Sequence, residues 1–319
     1  MAKSFHYKTA VVVLSLLLAS VVLIGAARRA YTPAQSEKKT VAASFYPIYI
    51  AALNLTDSIA ELQPVNLTAS QTGCVHDFTL RPQDMVTLSH ASVFLVNGGG
   101  MESFLADAAA ANPNLPIIDS SVGIEARAET AHDDHDHDHA SESDTNAHFW
   151  MSPTAYIRQV RNLCDGLSAQ FPEYAAQLNE NADRYVRKIE QLRTDMIEQS
   201  APYTGAPVIL FHDAFAYFAD ECGLKVAQVI PVEQDTVFSA AQVAEIVAEI
   251  RASGVPLLLA EAQYSPELAE AIAAETDARV YIMDTAVSGP DDPDAYLNAM
   301  YANLDGLTAA LAAERGSSK

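Results

Sequence analysis

Basic residues are scarce in this sequence. The chain of 319 residues has 19 Lys and Arg against 41 Asp and Glu, which gives a formal net charge of −22. Nucleic-acid binding requires clustered basic side chains that neutralise phosphates, so we expect no nucleic-acid partner. Half of the residues are hydrophobic. The chain is therefore globular and long enough for two domains, each with its own core.

Cysteines are also few: Cys74, Cys164 and Cys222. Three cysteines form at most one disulfide, so a disulfide-rich scaffold is excluded. They are expected to be small buried residues or to contribute a single structural bridge. No cysteine lies directly after the N-terminal apolar run, which excludes a lipoprotein signal.

Only one apolar run is long enough to approach a membrane span. It extends from Ala10 to Ala27 and follows two lysines. Its length lies between that of a signal-peptide core and that of a short transmembrane helix. We interpret residues 1–30 as a signal peptide or N-terminal membrane anchor and residues 31–40 as a linker. The rest of the chain is then extracytoplasmic, in the periplasm or on the outer face of the cell membrane.

Two hydrolase signatures are absent. The sequence contains neither HExxH nor the G-x-S-x-G nucleophile elbow. These absences count against an enzyme, although a zinc hydrolase stays open as a minor alternative.

Apolar strand patterns alternate with helical patterns in both halves of the chain. This alternation predicts an α/β protein of two lobes, each a mainly parallel sheet flanked by helices. A helical pattern over residues 172–201 bridges the N-terminal lobe (41–171) and the C-terminal lobe (202–319). Shorter helices are predicted from Pro47 to Ala60 and from Met101 onward.

A histidine-rich stretch lies in a predicted loop over residues 124–146. It contains His132, His135, His137 and His139, interleaved with aspartates. This composition favours weak binding of borderline divalent metals. The alternative is a solvated acidic loop.

Four further side chains lie where ligands bind in open α/β sheets, beyond the carboxyl ends of strands. His76 lies in a loop after a strand, and His148 lies where the first lobe leads into the long helices. His212 follows the strand PVILF, and Asp284 follows RVYIM. Three imidazoles and one carboxylate form a tetrahedral zinc set. Taken singly, each histidine could be a structural residue and Asp284 could cap a turn.

Two more residues are candidate additional ligands. Cys74 lies two residues before His76, and Glu261 ends another apolar strand. Sequence position alone does not separate coordination from a supporting role for either residue.

These motifs, taken in order, resemble the metal-binding solute-binding proteins of zinc and manganese ABC importers. The matching segments are GCVHDF at residues 73–78, HFWMSP at 148–153, HDAFAYFA at 212–219, and Asp284 after its strand. The sequence departs from the family pattern at Val75, where proline is usual, and at Ser152, where aspartate is usual.

The resemblance implies that His76, His148, His212 and Asp284 are the metal ligands, and that a rigid helix between the lobes permits only a small hinge motion. The histidine-rich loop and the imidazole of His212 favour zinc over the harder manganese ion. We therefore expect a monomeric, extracytoplasmic, high-affinity zinc-binding protein that delivers the metal to an ABC permease. The alternative of the same fold is an extracellular metal buffer or adhesin.

Overall fold

Two four-stranded sheets form the framework of the molecule. The computed structural model describes residues 38–69, 78–128, 145–230, 239–262 and 266–317. The strands are β1 (Lys39–Ala43), β2 (Leu62–Asn66), β3 (Val93–Val96), β4 (Ile117–Asp119), β5 (Arg127–Ala128), β6 (Thr145–Asn146), β7 (Pro207–Leu210), β8 (Lys225–Val229), β9 (Leu257–Glu261) and β10 (Arg279–Met283).

Helices separate most of these strands and follow the last one. They are α1 (Tyr46–Leu55), α2 (Pro82–His90), α3 (Leu105–Ala111), α4 (Pro153–Gln170), α5 (Ala175–Ser200), α6 (Phe215–Glu221), α7 (Ala240–Ser253), α8 (Pro266–Ala274) and α9 (Ala295–Ser317). Among the described residues, no helix combines the length and the apolar character that crossing a membrane requires.

Both sheets are parallel throughout, which confirms the predicted fold class. The strand order is β2-β1-β3-β4 in the first lobe and β10-β9-β7-β8 in the second. In each sheet the order reverses beside the first strand of the lobe, between β1 and β3 and between β7 and β9. Ligands of open α/β sheets bind in the crevice at such a reversal, outside the carboxyl ends of the strands.

The hydrophobic interior is continuous between the two lobes. One cluster includes Val41 of β1, the inner face of α5 and Leu304 of α9, and a second, smaller cluster covers the other face of the second sheet. Helix α5 has 26 residues, so it is about 39 Å long at roughly 1.5 Å per residue. Its buried positions recur at helical spacing, as predicted: Leu178, Ala182, Tyr185, Ile189, Leu192 and Met196.

Two predicted helix boundaries are wrong. Helix α1 ends at Leu55 and not at Ala60, because Thr56 leaves the helical conformation with a ψ of 7° and Ser58 has a left-handed φ of 61°. Helix α3 begins at Leu105 and not at Met101. There the Glu102 carboxylate accepts the backbone amides of Asn97 and Gly98 and holds the preceding residues in turns.

Some secondary-structure elements were not predicted, and one predicted segment lies outside the described residues. Helices α6 and α8 and the antiparallel pair β5–β6 are not evident from the sequence pattern, because each element is short. The predicted signal peptide or anchor, residues 1–30, lies outside the described residues. The predicted N-terminus of α4 is confirmed, since the Ser152 hydroxyl accepts from the amide of Ala155.

Asn181 of α5 ties the long helix to the first lobe, which generates a prediction. Its amide nitrogen donates to the carbonyls of Leu55 and Asp57, at 2.9 and 2.8 Å, and the residue is 3% exposed. Asn181→Ala leaves carbonyl groups of the first lobe without this donor. We expect the free energy of unfolding to fall by about 1–3 kcal/mol in urea denaturation.

Asn179→Ala is the matched control on the same helix, because its side chain is exposed and bonds to Ala175 of α5 and Ser168 of α4. Its expected change is within about 0.5 kcal/mol. Equal losses in the two variants would contradict the assigned role of Asn181.

Candidate metal centre

His148 lies at the end of the first lobe, directly before the turn that leads into α4. Asn97, which follows β3, donates its side-chain amide to the carbonyl of Ala147 at 2.9 Å. Residues Phe149–Met151 form a short 3-10 helix. His148 is 5% exposed. Its backbone is thus fixed at the carboxyl edge of the first sheet, where the strand order reverses.

The ring of His148 is oriented by Asn146. The amide oxygen of Asn146 lies 2.9 Å from His148 Nδ1 and also accepts the backbone amide of His148. The amide nitrogen of Asn146 donates to the carbonyl of Asp213 at 2.9 Å, which fixes the orientation of the amide. An amide oxygen can only accept, so Nδ1 carries a proton, and in the neutral ring the acceptor lone pair is on Nε2.

His212 is oriented in the same way by a carboxylate. One residue, Phe211, separates it from the end of β7. Glu261 is the last residue of β9, and its Oε2 lies 2.5 Å from His212 Nδ1. The other oxygen of Glu261 accepts the hydroxyl of Thr285 at 2.5 Å. Both carboxylate oxygens thus contact protein donors. A histidine whose Nδ1 bonds to a carboxylate presents Nε2, which is the usual arrangement of a metal-binding imidazole.

The two imidazoles meet across the boundary between the lobes. Their ring centroids are 4.8 Å apart and the rings are nearly perpendicular, at 83°. The side chain of His212 is 15% exposed, whereas Glu261 behind it is 1% exposed. The pair is therefore close enough to share one ion and is largely shielded from solvent.

Trp150 also connects the first lobe to the second. Its indole nitrogen donates to the carbonyl of Thr285 at 2.7 Å, and its own carbonyl accepts the hydroxyl of Tyr296 at 2.8 Å. The ring centroid of Trp150 lies 5.2 Å from that of His148. One buried side chain of the first lobe is thus bonded to the segment that follows β10.

Asp284 lies at the end of β10, as predicted. Its backbone amide and carbonyl both pair with the side chain of Asn303, and its Oδ1 accepts the amide of Ala286 at 2.7 Å. Ala286 has a φ of 56°, which is uncommon for a residue with a side chain. One oxygen of Asp284 therefore caps this turn, which is the structural role considered for it above.

Tyr46 of the first lobe lies within electrostatic reach of Asp284. Burial raises the pKa of Tyr46 to about 12, and the charges of Asp291 and Asp284 add to the effect. The hydroxyl of Tyr46 donates to the carbonyl of Pro290 at 2.6 Å. The loop that follows Asp284 is therefore bonded to α1 of the first lobe.

Several predicted site residues lie outside the described part of the chain. These are His76, Cys74, His132, His135, His137 and His139. Within the described ranges, no three His, Cys, Asp or Glu side chains are grouped as a metal site. The structure thus brings together His148 and His212 and places Glu261 behind His212.

The two described cysteines, Cys164 and Cys222, are buried free thiols. Burial raises the pKa of Cys222 to about 12. Burial also raises the pKa of Cys164, and both side chains are 1% exposed, so both cysteines are small core residues.

Sequence reasoning missed Asn146, Thr285 and Asn303, the polar residues that hold the candidate ligands. Asn146 precedes His148 by two residues and Thr285 directly follows Asp284, so proximity in sequence was the one signal present. Asn303 lies in α9, and only the tertiary structure relates it to Asp284.

A known family matches almost the whole of this framework. The family described as "ZnuA: Zinc-uptake complex component A periplasmic" matches residues 41–310. The chain belongs to this family. Its members are solute-binding components of transporters, and the resemblance deduced from the sequence is confirmed.

Individual relatives agree with this assignment. The chain is 27% identical, over 88% of its length and 93% of the relative's, to "High-affinity zinc uptake system protein ZnuA" of Brucella abortus (strain 2308). A crystal structure of ZnuA matches 86% of this chain and 99% of that chain, with 25% identity and a TM-score of 0.71. The SBP FpvC of Pseudomonas aeruginosa, solved in complex with Ni²⁺, matches 87% of this chain and 98% of that chain at 21% identity and a TM-score of 0.74, and it shows the shared fold.

The contact between Thr285 and Glu261 generates a prediction for the metal-free protein. Thr285→Val keeps the shape of the side chain and removes the hydroxyl that bonds to the buried carboxylate. Hydrogen bonds to charged groups contribute about 1.5–3 kcal/mol, so we expect a loss of that size in the free energy of unfolding. Urea denaturation measures it. Thr285→Ser is the control because it keeps the hydroxyl, and a loss in serine as large as in valine would contradict the role of this bond.

Proposed function

We propose that this protein is the extracytoplasmic high-affinity zinc-binding component of an ABC importer and delivers zinc to the permease. The observation that carries the proposal is the meeting of His148 and His212 across the lobe boundary, 4.8 Å apart at the ring centroids. Each ring has its Nδ1 bonded to a buried acceptor. Family membership supports the same function.

The proposed zinc ligands are His76, His148, His212 and Asp284. The geometry of His148 and His212 supports their part in this set. Three imidazoles and a carboxylate close a tetrahedral site, which suits capture and release better than hydrolysis, because a catalytic zinc keeps an open position for water. We therefore propose that the protein is not an enzyme. In this set Glu261 orients His212, and Cys74 remains an additional candidate ligand.

Zinc is the proposed ion and manganese a weaker competitor. Imidazole nitrogen suits zinc, whereas manganese prefers carboxylate and other oxygen ligands. The Brucella relative is named for high-affinity zinc uptake, which agrees with this preference. Pre-oriented imidazoles also lower the cost of ordering the ligands when zinc binds.

The histidine-rich segment is proposed to collect zinc weakly and not to form the main site. It connects β5 to β6, and Asn146 at the end of β6 contacts His148. Both ends of the segment are therefore held beside the candidate site.

The remaining assignments are part of the same proposal. Residues 1–30 direct export or anchor the chain, 31–40 link it to the N-terminal lobe (41–171), residues 172–201 join the lobes, and 202–319 form the C-terminal lobe. The protein acts as a monomer, with no nucleic-acid partner. The continuous core along α5 supports only small relative motion of the lobes.

Removal of either described imidazole tests the site. His148→Ala or His212→Ala should weaken stoichiometric zinc binding by at least about 100-fold, because a three-ligand remnant loses several kcal/mol of binding free energy. Competition with a chromophoric chelator measures the affinity. His90→Ala is the control, since His90 lies exposed at the end of α2. Tight binding that survives both site substitutions would overturn the assignment.

Deletion of residues 132–139 tests the role proposed for the histidine-rich segment. We expect calorimetric titration to lose the weak extra zinc equivalents and to keep one tight equivalent, because the tight ligands lie elsewhere. Loss of the tight equivalent on this deletion would place the main site in the segment and contradict the proposal.

A further inference from the structure

Asn146 contacts both lobes through one buried side chain. It lies at the end of β6 and is 2% exposed. Its Oδ1 accepts from His148, its Nδ2 donates to the carbonyl of Asp213, and its own carbonyl accepts the hydroxyl of Tyr217 at 2.7 Å. Asp213 directly follows His212. The same amide is therefore bonded to His148 in the first lobe and to the residue next to His212 in the second.

The chemistry of these contacts requires an amide. One side of the group must accept from the His148 ring and the other must donate to a backbone carbonyl. An amide has both an acceptor oxygen and a donor nitrogen, whereas an ionised carboxylate only accepts. Aspartate at this position would direct an oxygen at the carbonyl of Asp213, and an aliphatic residue would satisfy neither contact.

The antiparallel pair β5–β6, called the hairpin below, holds this amide in place. The hydroxyl of Tyr217 in α6 accepts the amide of Arg127 at 3.0 Å and donates to the carbonyl of Asn146, so it touches both strands of the β5–β6 pair. Arg127 also forms an ion pair with Asp220 of α6. The hairpin therefore belongs in sequence to the first lobe and is bonded to a helix of the second.

We infer that Asn146 is a positioning residue for metal capture, which holds His148 in the Nδ1-protonated form and ties it to the His212 segment of the opposite lobe. Its counterpart is Glu261, which orients His212 from within the second lobe. The two imidazoles are thus matched in tautomer before the ion arrives, and the lobe boundary is closed at the point where they meet. This inference rests on the proposed zinc-binding function.

A merely structural role for Asn146 makes a different prediction. Loss of the amide would then lower thermal stability and leave both the His148 tautomer and the zinc affinity of the folded protein unchanged. A positioning role requires the tautomer to change, because the acceptor for Nδ1 is lost. The tautomer of His148 in metal-free protein therefore separates the two roles.

The experiment compares Asn146→Ala and Asn146→Asp with the parent chain, metal-free and at pH 8. Long-range ¹H–¹⁵N NMR reports the proton on each imidazole nitrogen, and His148 is assigned by the loss of its signals in His148→Ala. We expect an Nδ1 proton in the parent chain and in the aspartate variant, which keeps the acceptor. We expect a mixture or the Nε2 form in Asn146→Ala. Should the alanine variant not fold, Asn146→Leu, of closely similar shape, replaces it.

Zinc competition on the same proteins gives the second readout. Removal of an outer partner of a metal-binding histidine weakens metal binding by about 10–100-fold, and we expect that loss in Asn146→Ala. An unchanged tautomer together with a zinc affinity within twofold of the parent would overturn the inference. If the parent chain bound no zinc tightly, the proposed function would fail. The tautomer comparison in metal-free protein would still decide whether Asn146 orients His148.

Discussion

Residues 146–150 of the first lobe are hydrogen-bonded to the second lobe, and the geometry of the candidate site depends on these bonds. Asn146 donates to the carbonyl of Asp213, and Trp150 donates to the carbonyl of Thr285. His148 lies between these two bonds. Each bond ends next to a residue proposed to bind metal in the second lobe, His212 or Asp284. These two bonds therefore set the spacing of the imidazoles and the position of the strand end that carries the carboxylate of Asp284.

Burial makes this arrangement rigid. Asn146, Trp150 and Glu261 are each at most 2% exposed, and a polar group removed from water is costly unless it is paired. A change in the angle between the lobes would separate donors from acceptors that water does not readily reach. The continuous core along α5 acts in the same direction. Adjustment on metal binding is therefore expected at side chains and loops more than at the lobe boundary.

The sequence was sufficient for the architecture and for two of the side chains that meet. Strand and helix periodicity predicted two lobes with parallel sheets and a bridging helix. The position of His212 after PVILF identified it as a candidate ligand, because the ends of strands form the binding crevice. The supporting residues were not predictable. An asparagine two residues before a histidine has no distinctive pattern, and the pairing of Thr285 with Glu261 depends on neighbouring strands β9 and β10. Helix α1 was predicted too long because Ser58 adopts a left-handed backbone conformation, which periodicity does not report.

The central claim is that zinc is bound by imidazoles from both lobes. Zinc K-edge X-ray absorption on the protein lacking residues 132–139, loaded with one equivalent of zinc, tests it most directly. The account predicts four nitrogen or oxygen neighbours at about 2.0–2.2 Å with the multiple scattering of several imidazoles. It also predicts fewer imidazoles after His148→Ala. A sulfur neighbour at about 2.3 Å would show that Cys74 joins the ligand set, whereas a shell unchanged by His148→Ala would contradict the site itself.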